Sequence, residues 1–206
     1  EIASGDWSSD VCSSDLMETT VSKLERQIEE RLKGVSEYES ININHRLGKL
    51  LDLYDIPDVA KVACLTIDTS MRHLDDITYN HLSKHSILIG DLISAHFYTL
   101  LAEINDLSFQ NEISKAIVEI NELKSSLHHQ ALNDYEISQA IVKIETLFPY
   151  ITLSHFGINI DESEIYNYLF EDMSDYYPSY FKKYNQSEVK HYLHDIQKSY
   201  LKSRGN

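Results

Sequence analysis

The chain has 206 residues, enough for one domain of ordinary size, and its 42% hydrophobic and 25% charged residues are globular proportions that exclude a disordered chain. Six Gly and three Pro are too few for the many tight turns of a sandwich or barrel, and two Cys cannot build a disulfide framework. The net charge of −15 argues against a nucleic-acid partner, which demands cations in place of phosphate counterions, and no run is read as reaching the roughly 20 apolar residues of a membrane span.

Residues 1–16 differ from the rest. They hold the only Trp (Trp7), Cys12, a Ser/Asp-rich repeat and no Lys or Arg, without the basic start and apolar centre of a secretory signal. The string GDWSSDVCSSDL resembles translated sequencing-adapter read-through, so 1–16 is read as a non-native or disordered leader and 17–206 as one helical domain. Setting the leader aside removes four acids (Glu1, Asp6, Asp10, Asp15) and no base, which moves the net charge from −15 to −11. Cys64 is then the lone thiol, which suits a reducing, cytoplasmic location.

From Met17 onward the apolar spacing is helical. Val21, Leu24, Ile28 and Leu32 step by three and four. Leu47, Leu50, Leu51 and Tyr54 mark a short second helix ending near Asp55. Pro57 fits the first turn of a third, whose stripe runs through Val59, Val62, Ala63, Ile67, Ser70, Leu74 and Ile77. The fourth, from about Leu82 to Ile104, is apolar on most of its circumference, which marks a buried or interfacial helix. Asp106 or Ser108 caps a fifth, carrying Ile113, Ala116, Ile117, Ile120, Leu123 and Leu127. Asn133 or Asp134 caps a sixth, which Pro149 kinks or ends, with Gly157 as C-cap. Asp161 opens a seventh through Phe170, Tyr176-Tyr177-Pro178 is a loop, and Ser187 caps the last. The class is all-α, a single-domain bundle of roughly eight helices.

The strong catalytic motifs are missing: there is no Gly-rich phosphate loop, no GxSxG and no CxxC. Ten His raise a metal reading through His81 and His85, Glu188 and His191, or His128 and His129, yet none supplies the three or four ligands zinc needs. They read as solvated surface residues, and no metal site is assigned. Glu171-Asp172-Met173-Ser174-Asp175 has the shape of a Mg²⁺-diphosphate cluster, but in so acidic a chain it reads as a helix end.

Residues 62–93 carry more. Asp68-Thr-Ser-Met-Arg-His-Leu-Asp75-Asp76-Ile77 resembles the first Asp-rich helix of trans-polyprenyl diphosphate synthases, with Asp75 and Asp76 on the paired Asp. Ser86-Ile87-Leu88-Ile89-Gly90-Asp91-Leu92-Ile93 resembles their A-V-L-A-G-D-x-L element. With Phe97-Tyr98-Thr99-Leu100-Leu101-Ala102-Glu103 and Ala116–Glu122, the run is similar to the small subunit (component I) of heteromeric heptaprenyl diphosphate synthases, above all between Val62 and His129. That resemblance implies a degenerate isoprenoid-synthase-like fold.

The departures carry equal weight. Active members of the family have DDxxD, whose carboxylates hold Mg²⁺ on the allylic diphosphate; here the third position is Tyr79, and Asp68 and Leu74 stand where the pattern has His. The Arg pair for the second diphosphate is missing between Asn80 and Lys84. Asp75 and Asp76 are therefore a vestigial motif, the chain has no catalytic residue and no cofactor of its own, and Mg²⁺ is expected in the partner. By the same resemblance the chain associates with a catalytic large subunit, helps wall the tunnel around the growing prenyl chain, and serves menaquinone side-chain synthesis. Leu88, Gly90, Asp91, Leu92, Phe97 and Leu101 are the candidates for partner interface or tunnel. The alternatives are a helical scaffold or regulatory protein on a degenerate synthase fold, and a stand-alone enzyme using Asp75, Asp76 and Glu171–Asp175.

Overall fold

Eight α-helices and one 3-10 turn form the fold in a computed structural model that describes residues 18–35, 41–80, 84–171 and 177–203; no strand occurs among them. The helices are α1 (Thr20–Arg31), α2 (His45–Asp52), α3 (Asp58–Asn80), α4 (Lys84–Ile104), α5 (Leu107–His128), α6 (Asp134–His155), α7 (Glu162–Phe170) and α8 (Gln186–Ser203), with the 3-10 turn at Ser179–Phe181 between the last two. The all-α class expected from the spacing is the observed one.

The starts follow side-chain capping. Thr19, Asn44, Asp106, Asn133 and Asp161 each accept a backbone N–H from the first turn of their helix, and Glu136 completes a capping box by accepting from the Asn133 N–H. For α8 the cap is Asn185 and not Ser187. The Glu188 N–H donates to Asn185 Oδ1, the Asn185 N–H donates back to Glu188 Oε2, and the Ser187 hydroxyl also donates to Asn185.

Pro149 neither ends nor breaks α6, which continues to His155. Proline cannot donate to the carbonyl four residues back, but Pro149, Thr152 and Leu153 are all buried, and that packing holds the last turns in place. The helix closes at Gly157, whose φ of +84° permits the reversal: its N–H donates to the Ser154 carbonyl and the Ile158 N–H to the Leu153 carbonyl.

Around α3 the rest assembles. Every residue from Ala60 to Met71 is buried, and α1, α2, α4, α6 and the 3-10 turn all pack on it. A helix enclosed on all sides must satisfy its hydroxyls internally: Thr66 Oγ1 donates to the Val62 carbonyl at 2.6 Å, Thr69 Oγ1 to that of Leu65 at 2.7 Å. Burial pushes the Cys64 thiol up to about 12, so it stays an inert core residue. On the far side α5 packs against α6, α6 supports α7 and α8, and α2 meets α7.

The approach of α4 to α3 is close because residue 90 is glycine. A Cβ there would lie 2.5 Å from Leu74 Cδ2. The Ser70 and Ser94 hydroxyls are 2.6 Å apart across this seam, and His73 Nε2 lies 3.1 Å from the Ser86 carbonyl oxygen.

One expectation about α4 changes and another is sharpened. The sequence suggested no membrane-length apolar run, yet Ser86–Ile104 is 19 residues of mean hydropathy 1.5, long and apolar enough by length and composition to cross one. The scattered Ser, Gly, His and Thr hide the run from inspection. Secondly, α4 is buried on one face only, and the continuously buried stretch is Ala60–Met71 of α3. Ile89, Ile93, Phe97, Leu100 and Leu101 of α4 face inward, while Ile87, Leu88 and Tyr98 are 39%, 45% and 58% exposed.

Candidate functional site

The second half of α3 sets out its charges with helical regularity. Asp68, Arg72 and Asp75 recur at four and three, so they share one face, and Asp76 flanks it. That face meets α5, α6 and the segment after the 3-10 turn, each of which supplies a polar group.

Arg72 is held between two acids. Its Nε donates to Asp68 Oδ2 at 2.8 Å and its other guanidinium nitrogen to Glu145 Oε2 at 2.6 Å. Glu145 is a carboxylate with a side chain only 2% exposed, and its second oxygen accepts from the Tyr180 hydroxyl at 2.6 Å. A buried charge persists only when paired and hydrogen-bonded, and this one is both.

Asp75, the first of the paired aspartates, accepts from Lys124 Nζ at 2.5 Å. Lys124 belongs to α5, and its ammonium also lies 5.8 Å from the centre of the Tyr180 ring. Burial pushes the Asp75 carboxyl above its usual range; Lys124 and Arg72 pull it back, and neighbouring Asp76 adds to the rise. Asp76 is half exposed and faces Lys182 Nζ at 3.6 Å.

Four carboxylates (Asp68, Asp75, Asp76, Glu145) thus meet three cations (Arg72, Lys124, Lys182), all drawn from this chain. A divalent cation is captured by a surplus of carboxylate oxygen. The position that would face Mg²⁺ in a DDxxD helix is taken by a lysine ammonium, so the residues do not fit the metal. No group of three or more His, Cys, Asp or Glu among the described residues is placed to hold one.

The other sequence candidates separate. Leu88 and Asp91 are exposed on the outer face of α4 and Leu92 is partly buried at its margin, whereas Gly90, Phe97 and Leu101 are buried against this chain's own helices. Glu171 closes α7, while residues 172–175 of the acidic run and His81 lie outside the described residues. His128 and His129 sit edge to face at 5.3 Å, and His191 lies 3.3 Å from Asp195.

Sequence reasoning missed Lys124, Glu145, Tyr180 and Lys182. A signal existed for two of them. Glu145 is the lone acid in the apolar run Ile144–Phe148, and Lys124 follows Ile120 by four, on the edge of the α5 stripe; a charge in such a register needs a partner.

Residues 18–151 match the family model described as hexaprenyl diphosphate synthase, small subunit. No curated protein matches. Among solved structures, heptaprenyl diphosphate synthase from Staphylococcus aureus is similar at 99% identity over 91% of this chain and all of that one, with a TM-score of 0.75. An acidic pair neutralised from within, on an all-helical fold with an uncovered apolar helix face, is consistent with that assignment: the chain belongs to the small-subunit family of hexaprenyl diphosphate synthases.

Proposed function

We propose that this chain is the small, non-catalytic subunit of a heteromeric hepta- or hexaprenyl diphosphate synthase, acting in the cytoplasm to supply menaquinone side chains. The observation that carries the reading is the Lys124 ammonium on Asp75. With that carboxylate occupied and Asp76 facing Lys182, the acidic pair offers no free site for a Mg²⁺-bound diphosphate among the described residues, which supports leaving ionisation of the allylic substrate to a partner whose two Asp-rich motifs are complete.

The outer face of α4 then has a use. Ile87, Leu88 and Tyr98 form part of an apolar stripe that is costly to leave in water, and a catalytic large subunit would cover it. Covering it stabilises the large subunit and closes one wall of the dry tunnel that limits product length. Exposed Leu88 and half-buried Leu92 would belong to that wall, with the buried Phe97 and Leu101 behind them.

Reconstitution tests this. Each subunit alone and the two mixed are incubated with isopentenyl diphosphate, an allylic primer and Mg²⁺. Long-chain product from the mixture, and none from this chain alone, is expected. Product from this chain alone overturns the reading, and a mixture no better than the large subunit alone favours a scaffold without a part in prenyl transfer.

A further inference from the structure

The outer face of α4 contains one charge where its partner would be dry. Between Lys84 and Glu103 the helix has a single Asp, Glu, Lys or Arg, which is Asp91. It stands on the exposed stripe at helical spacing from Ile87, Leu88, Ala95, Tyr98 and Ala102, all exposed. It makes no hydrogen bond or ion pair among the described residues, unlike Asp68, Asp75 and Asp76 on the neighbouring helix.

A carboxylate in the middle of an apolar face is a liability for any neutral partner. Covering the stripe strips water from Asp91, and an unpaired buried charge costs more than the surrounding apolar contacts return. A second copy of this chain does not resolve that. In a parallel pair of α4 helices Asp91 meets Asp91; in an antiparallel pair crossing at the midpoint near Ala95 it meets Tyr98 and Thr99, so α4 itself supplies no counter-charge.

We propose that Asp91 selects the partner: the catalytic large subunit presents an apolar helix face interrupted by an Arg or Lys that pairs with Asp91, and the absence of any counter-charge on α4 itself discourages self-association. This rests on the heteromeric reading above and names the chemistry of the contact. One residue would thereby serve both functions, attracting the correct partner and penalising the wrong one.

The test uses the full chain, the catalytic large subunit, and the variants Asp91→Asn and Asp91→Leu. Since Asp91 is exposed and has no ion pair among the described residues, both variants should keep the wild-type Tm. Binding to the large subunit is measured across a salt series, and self-association by sedimentation equilibrium. Loss of one partner of a buried hydrogen-bonded charge pair typically weakens binding by roughly 30-fold or more. Asp91→Asn should therefore raise the Kd by at least about that factor and flatten its salt dependence, and Asp91→Leu should shift the free chain from monomer toward dimer. If Asp91→Asn binds within threefold of wild type with the same salt slope, the proposal is overturned while the heteromeric reading stands. If the wild-type chain forms no complex at all, that reading fails and the proposal with it.

Discussion

Replacing Lys124 with Ala removes the ammonium from Asp75 and leaves the carboxylate beside Asp76, with Arg72 as the remaining cation that acts on it. The Lys124 and Asp75 side chains are 12% and 21% exposed, so the pair lies between a surface bridge, worth about 0–1 kcal/mol, and a fully buried one whose breakage costs about 3–5 kcal/mol. About 2 kcal/mol is expected, which for a chain of this size lowers Tm by roughly 4–8 °C. The pH dependence fixes the cause. Burial already raises the Asp75 carboxyl in the folded state, so its contribution is fully present below the unfolded value near pH 4 and is lost as pH rises through the folded value. Without Lys124 the folded value climbs further. The variant should therefore be most destabilised near pH 7 and recover toward wild type on acidification to about pH 5. Thermal or urea unfolding at both pH values is the assay, and the double variant Lys124→Met/Asp75→Leu should regain much of the loss because neither charge is then stranded. A Lys124→Ala variant within 1 °C of wild type at pH 7, or one whose deficit grows on acidification, would refute the reasoning.

Other expectations follow from particular contacts. Gly90→Leu should destabilise by about 1–3 kcal/mol, because even a Cβ would lie 2.5 Å from Leu74 Cδ2 on the enclosed α3; urea unfolding with an unchanged midpoint would count against the close α3–α4 seam. His96 is held down to about 4 by burial between α1 and α4, its Nε2 bonded to Gln27 at 2.7 Å and its Nδ1 without a partner among the described residues. A depressed His contributes stability above its unfolded value near 6.5 that is lost as pH falls toward 4. The wild type should weaken over that window and His96→Leu should weaken less, as followed by Tm against pH.

How much of this was legible in the sequence depends on range. Local signals were read well: Asp106, Asn133 and Asp161 stand at the starts of α5, α6 and α7, and Gly157 stands where α6 must reverse. Pro149 does not end α6, because its local cost is overridden by the burial of Thr152 and Leu153 beyond it, which no window around the proline reveals. The expected cap Ser187 gives way to Asn185, which the sequence reading did not consider; the reciprocal bond between Asn185 and Glu188 identifies it.

The enclosure of α3 was hidden by its composition. Thr66, Thr69 and Ser70 make it look less buried than α4, until their hydroxyls are seen returning to the carbonyls or to Ser94. The acidic pair was found by resemblance, whereas its cations lie 49 and more than 100 residues further along the chain and share no pattern with it. Tertiary pairing of that kind leaves no periodic trace. The sequence announced an incomplete Asp-rich motif, and the fold sets Lys124 and Lys182 against its two carboxylates.

The most direct test places the chemistry on one subunit or the other. Asp75→Asn/Asp76→Asn in this chain, combined with an unaltered large subunit, should co-elute as the wild-type pair does and make long-chain product at near the wild-type rate. The unaltered chain combined with a large subunit whose paired aspartates are replaced should make none. Loss of product from the first mixture with assembly intact, or product from the second, would contradict the claim that this chain completes a synthase without performing its chemistry.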